Sequence, residues 1–330
     1  MDPVSQAVFG VLGSGLKKSS KKDILICSLW GALGGMAPDI DYFIRSSNDP
    51  LLTIEYHRQV THSLFFIPFG ALIVSILLKI FKIPIKKSYF YVLLGYATHG
   101  LLDSCTNYGT QLWWPFSDKR EAWNLLAVID PLVTLPLIVL VILFFKKKKY
   151  LYVHVAWVYF LLYVGIQGFK KSRIEDFLHS SNIIDSKTER FMIKPTIFNN
   201  FLWRVIVVDK QNSIHFHAVN HSFFGPLKLY RGDSAKLVLS DDAKVLFPRF
   251  KNARNDFKRF KYFTDGYIHW TGDYSISDSR YSLLPTSSSP LWEISFENTD
   301  REHVDYKVFR KPSKKQREVL IKMLKAETLK

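Results

Sequence analysis

The stretch YLYVHVAWVYFLLYVGIQGF, residues 150–169, runs for twenty positions without a formal charge. At about 1.5 Å of rise per residue, a helix of that length covers the roughly 30 Å of a hydrocarbon core. Four earlier stretches are also uncharged: Ile24 to Pro38, Ser63 to Leu78, Ser88 to Leu102 and Pro131 to Phe145. Several are apolar on every face, whereas a soluble helical core would keep a polar side. Some are shorter than a comfortable span, so their ends draw on flanking residues. The pattern predicts a multi-pass α-helical membrane domain over residues 1–169. Asp2 stands where a basic n-region would begin, so no signal peptide is expected ahead of it.

Lysine placement sets the expected orientation. Lys17, Lys18, Lys21 and Lys22 precede the first clear span, Lys79, Lys82, Lys86 and Lys87 follow the second, and Lys146 to Lys149 follow the fourth. All three clusters fall on alternate connections, and the positive-inside rule puts them in the cytoplasm. The formal charge of +16, from 45 Lys and Arg against 29 Asp and Glu, is thereby largely topological. On a soluble protein it would suggest a nucleic-acid partner; here nucleic acid is not expected. The basic stretch Arg249 to Lys261 suits anionic headgroups more simply. The segments Asp39 to His62 and Asp103 to Glu121, and everything after Lys170, then belong on the extracytoplasmic side of the cell membrane.

Residues 170–330 read as a mixed α/β extracytoplasmic domain. Leu202 to Val208 and Ser213 to Val219 form a hairpin signal around Asp209, Gln211 and Asn212, and Gly266 to Trp270 and Leu291 to Phe296 look like further strands. Ser240 to Phe260 reads as a helix that Pro248 interrupts or kinks. With 48% apolar and 15% aromatic residues the chain is ordered, and two cysteines, Cys27 and Cys105, exclude a disulfide framework.

Acids and imidazoles gather at the outer ends of the spans. Pro38-Asp39-Ile40-Asp41 closes the first, His57-Arg58-Gln59-Val60-Thr61-His62 opens the second, and His99 and Asp103 close the third. His99 and Asp103 are four apart, so on a helix they share a face and can share an ion. The metal candidates are Asp39, Asp41, His57, His62, His99 and Asp103, and this donor set suits zinc, with manganese or ferrous iron as substitutes. Asp39 is the candidate base, Arg58 would balance charge on substrate oxygens, and Asp130 would orient an imidazole from behind. His154 reads as structural, and His215 and His217 as ordinary strand histidines. Trp113, Trp114 and Phe116 suit the headgroup boundary.

The opening Met1 to Gln6, PDID, HRQVTHS, HGLLDSCTNYGTQLWWPF (His99 to Phe116) and Ile129-Asp130-Pro131 together resemble the YdjM-like inner-membrane metal-dependent hydrolases, also described as LexA-binding. That family is distantly similar to zinc-dependent phospholipase C and the P1-type nucleases. The resemblance implies Asp39 or Asp41, His62, His99 and Asp103 as ligands of a first metal, with His57 nearby, and a LexA-type regulator as partner. One departure stands out: members usually carry a His after the Thr of the opening motif, where this chain has Ser5-Gln6. Gln is a poor metal ligand, which bears against further ions and against full activity.

The expectation is a membrane-bound metal-dependent hydrolase acting on a phosphoester or ester of a lipid or lipid-linked substrate. The alternative is a non-enzymatic structural or regulatory membrane protein that keeps the metal to pin helices together. A cation transporter ranks third, because its ligands would sit nearer mid-membrane.

Overall fold

The computed structural model describes residues 1–221 and 225–328. The chain divides into two compact units. The first comprises Met1–Ile44, Tyr56–Phe169 and Ile197–Asn199; the second comprises Arg45–Glu55, Lys170–Thr196 and Asn200–Lys330. The division falls at Phe169 and Lys170, with two exchanges that sequence did not announce: Arg45–Glu55 belongs to the second unit and Ile197–Asn199 to the first.

The first unit is helical: α1 (Pro3–Ser14), α2 (Ile24–Met36), α4 (Ile67–Lys79), α5 (Ile85–Ser104), α6 (Pro131–Lys147) and the first part of α7 (Leu151–Ser180), while the short α3 (Leu52–Tyr56) lies almost wholly in the segment that belongs to the second unit. α1 starts where Asp2 accepts from the Ser5 N–H at 3.0 Å and Pro3 presets the first turn. α6 starts the same way, with Asp130 accepting from the Leu132 N–H ahead of Pro131. Phe9, Leu12, Leu102, Leu126, Leu137, Phe144 and Phe160 form its buried core. α2 and α5 approach at backbone distance because Gly31 faces Gly95; a Cβ on Gly95 would overlap the Gly31 carbonyl.

Each uncharged stretch becomes a helix, but among the described residues only α7 is by itself long and apolar enough to cross a membrane. α2 and α4 have 13 residues each and α6 has 17. α5 reaches 20 residues yet carries Lys86, Lys87, His99 and Asp103. The segments Leu52–His62 and Ile67–Lys79 pass together, although a 93° bend separates them. The chain bends into 3-10 turns at Ala37–Phe43 after α2 and Val60–His62 before α4, which shortens these two regular helices at the level of the acids and imidazoles.

The second unit is rich in β-sheet. Strands β1 (Thr188–Pro195), β2 (Leu202–Asp209), β3 (Ser213–Asn220) and β4 (Lys228–Lys236) make one antiparallel meander. β5 (Ile268–Gly272), β6 (Ser275–Asp278), β7 (Trp292–Ser295) and β8 (Asp305–Val308) make another. β2 is buried on both faces, which explains its nearly continuous apolar reading. One face holds Trp203, Val205 and Val207 against Ile174 and Leu178; the other holds Ile206, Val208 and Phe216 against Leu237 and Tyr267. The helix expected over Ser240 to Phe260 is two pieces, a 3-10 turn at Asp242–Leu246 and α8 (Ala253–Phe263). Pro248 lies between them and has no N–H to give to a continuing helix. α9 (Lys314–Leu324) opens with a capping box between Ser313 and Gln316 and buries Met323 beside Tyr230.

Candidate metal centre

Three structural elements of the first unit deliver the site. The 3-10 turn after Pro38 presents Asp39 and Asp41, the turn before α4 presents His57, Arg58 and His62, and the last turns of α5 present His99 and Asp103. Two four-residue groups, Asp39–Asp41–His57–His62 and Asp39–His62–His99–Asp103, each offer ligand atoms lying within 4.8 Å of one another. They share Asp39 and His62.

Hydrogen bonds fix the tautomers in the second group. His99 Nδ1–H donates to the Gly35 carbonyl at 2.5 Å, so Nε2 carries the lone pair. His62 Nδ1–H faces Asp41 Oδ2 at 3.1 Å, and again Nε2 is bare. The two Nε2 atoms stand 2.8 Å apart. Asp39 Oδ1 lies 3.4 Å from each, and Asp103 Oδ2 lies 3.4 Å from His62 and 3.7 Å from His99. Four lone-pair atoms thus converge on one point, an arrangement that repels itself unless a cation sits among them. Ligand atoms on a tetrahedral zinc with bonds of about 2.0–2.1 Å stand about 3.3 Å apart, close to what is seen. The residues fit a divalent metal without rearrangement.

The first group is differently employed. Asp41 takes the His57 Nδ1–H at 2.7 Å, the Arg58 backbone N–H at 3.1 Å and the Thr61 hydroxyl at 2.7 Å. An ion there would require His57 and His62 to give up their N–H bonds. Burial alone would push the carboxyl of Asp41 up. The hydrogen bonds of His57 and His62 outweigh burial and hold it well below the ordinary carboxylate value, so it is charged at neutral pH.

Arg58 does not face outward. It is buried, with Nε 3.0 Å from Asp103 Oδ2 and Nη1 3.1 Å from the Thr106 hydroxyl, and its guanidinium lies over the Tyr108 ring. Asp130 belongs to neither ligand group; its carboxylate caps α6 and accepts from the Tyr163 hydroxyl at 3.0 Å. Gln6 is buried and donates from Nε2 to Asp103 Oδ1 at 2.9 Å, beside the Met1 ammonium, which pairs with the same oxygen. Sequence reasoning missed the Gly35 carbonyl, Thr61 and Arg120, which donates to the His57 carbonyl. None carries a charge or spacing that marks it except Arg120, which reads as an ordinary loop cation.

A third group, Asp49–Asp256–His303, lies in the second unit. Arg259 already serves its acids: Nη1 sits 3.0 Å from Asp49 and 3.2 Å from Asp256, and the fork extends to Glu55 at 2.7 Å. This cluster is an ion-pair clamp. His215 is likewise bonded on both nitrogens, to Asp209 and Ser234.

The family model described as YdjM inner membrane protein matches residues 1–174, which include every residue of the site. The chain belongs to the YdjM inner membrane protein family. Beyond the family model, it is similar to the uncharacterized protein YfhP of Bacillus subtilis (strain 168), 25% identical over 230 residues, covering 66% of this chain and 68% of that protein. No solved structure matches the chain. None of these matches shows the expected likeness to phospholipase C and the P1-type nucleases.

Proposed function

We propose that the protein is a multi-pass inner-membrane hydrolase that uses one divalent metal ion, most simply zinc, to cleave a phosphoester or ester bond at the outer membrane face. The observation that carries this reading is the convergence of His62 Nε2, His99 Nε2, Asp39 and Asp103, with both imidazole tautomers set from behind. An ion held there would supply Lewis acidity toward a phosphoryl or acyl oxygen and lower the pKa of a bound water. Asp39 is the carboxylate with an open side, its side chain 27% exposed, so it can meet a substrate and accept a proton. Asp41 has committed both oxygens to orienting His57 and His62. Arg58 neutralises Asp103 and keeps its carboxylate ionised inside the protein.

Membrane support comes from the family and from the exterior of the helices. Val155, Val158, Leu162, Ile166 and Phe169 of α7 are exposed at helical spacing, as are Leu132, Leu135, Val139 and Ile142 of α6 and Phe69, Leu72, Ile73, Ile76 and Leu77 of α4. Such surfaces suit lipid on several helices rather than one. Exposed Trp113, Phe116 and Trp123 suit the headgroup layer and favour a lipid or lipid-linked substrate. A LexA-type partner rests on family resemblance only.

The test is metal analysis of the detergent-purified protein, with a panel of phosphodiester, phosphomonoester and ester substrates. Wild type is expected to hold about one zinc and turn over one class, and His99→Ala to lose both. Bound metal without turnover on any substrate would favour the structural alternative, which the replacement of the family histidine by Gln6 also favours. Turnover unaffected by His99→Ala would remove the site from the chemistry.

A further inference from the structure

Inside β2, among residues buried on both faces, stands Arg204, and directly across the ladder on β1 stands Lys194. Both are 3% exposed, as is Arg280, while Asp278 is fully buried. Like charges opposite one another on adjacent strands repel, and burial removes the water that would screen them. The acid near them is already held: Arg280 grips Asp278 through Nε at 2.9 Å and Nη2 at 2.8 Å. Asp233, more exposed, is occupied by Ser287 and Ser288. Three buried cations thus share one buried carboxylate.

Arg204 spends its Nη atoms on the loop after β6, donating to the Ser282 hydroxyl at 2.7 Å and to the carbonyls of Pro285 at 2.7 Å and Ser279 at 2.8 Å. Among the described residues its Nε–H has no hydrogen-bond partner, and neither has Lys194 Nζ, which sits 3.4 Å over the Tyr281 ring. Buried donors in native proteins are nearly always satisfied. What the pair lacks is an acceptor bearing negative charge. An ion arriving from water would have to shed its hydration to enter this core. A small neutral reagent that becomes an anion in place would not.

We propose that Lys194 is a carbon dioxide acceptor, carried as an Nζ-carboxylate (carbamate) that accepts the Nε–H of Arg204. The amine lone pair attacks the carbon of carbon dioxide and forms the N–C bond; one C=O π pair moves onto oxygen, and an N–H proton leaves to water. No electrons are gained or lost, and the product carries one negative charge. Two cations, Arg204 and Arg280, then face two anions, Asp278 and the carbamate. Burial, reinforced by Arg280 and Arg204 and opposed by Asp278, pushes the Lys194 amine well below its ordinary value, which favours the nucleophilic neutral form over the buried cation.

The test uses the full chain in detergent, equilibrated with ¹³C-bicarbonate, followed by alkyl trapping of the carboxylate and peptide mass spectrometry. Label is expected on Lys194 in wild type and none at that peptide in Lys194→Met, a variant that removes a buried charge. The wild-type melting temperature is expected to fall by a few degrees in carbon-dioxide-free buffer and to recover with bicarbonate. Unlabelled Lys194 in the folded wild type overturns the proposal whatever the variant does. Recovery with acetate or phosphate in place of bicarbonate, without label, also overturns it and assigns the charge to a bound ion.

Discussion

His62 and His99 meet through nitrogens that both carry lone pairs, and what enforces this lies one bond further out, in the Gly35 carbonyl and Asp41. Groups that only orient a ligand typically contribute about 10- to 100-fold in metal affinity. Asp41→Asn is therefore expected to weaken zinc binding by about that factor in a chelator competition; a loss as large as that of His99→Ala would make Asp41 a ligand itself. A second residue-scale expectation concerns His269, buried between the Ser279 hydroxyl and the Ser288 carbonyl. Burial first, then Arg204, lowers it to about 4, against the upward pull of the Ser288 bond and of Asp278. The folded chain stays neutral there while the unfolded chain protonates below about 6.5, so stability is intact above that pH and falls as the pH drops toward 4. The loss reaches about 3 kcal/mol, and His269→Gln should flatten the pH dependence of denaturant unfolding over that window. Of the six metal candidates, sequence reached all of them because acids and imidazoles are conspicuous at the ends of apolar runs. It could not separate ligands from orienting groups, because that depends on which nitrogen of each imidazole is already bonded.

Among the elements, the helices and the β2–β3 hairpin were legible, because apolar runs and the Asp209 to Asn212 turn mark them directly. β1 and β4 were not: Thr188–Pro195 and Lys228–Lys236 are rich in charged and polar residues and pair only because β2 and β3 offer them ladders. Missing β1 also hid Lys194 opposite Arg204. The clamp on α8 was invisible for another reason, since Arg259 and Asp49 are 210 positions apart. Arg259→Ala leaves Asp256 buried beside Asp49, with the His303 ring and the Val304 N–H as its remaining partners among the described residues. It is expected to cost about 3 kcal/mol and to open residues 45–55 to limited proteolysis while zinc analysis follows the first unit.

At the scale of the molecule, the three lysine clusters and the outer-end acids are consistent with a single orientation. Reporter fusions placed between Ile80 and Lys87 and at the C-terminal end are expected to report opposite sides of the membrane; the same side for both would reverse the assignment of the second unit. α2 and α4 fall short of their uncharged runs where the chain bends into the 3-10 turns Ala37–Phe43 and Val60–His62, which carry Asp39, Asp41 and His62.

Asp41 and His57 belong to the first unit, yet Arg45–Glu55, which joins them, belongs to the second and is fastened by side chains on α8. During synthesis those fasteners leave the ribosome long after every ligand of the centre has been made. Until α8 has been made, the segment Arg45–Glu55 has none of the α8 side-chain bonds that hold it in the folded chain.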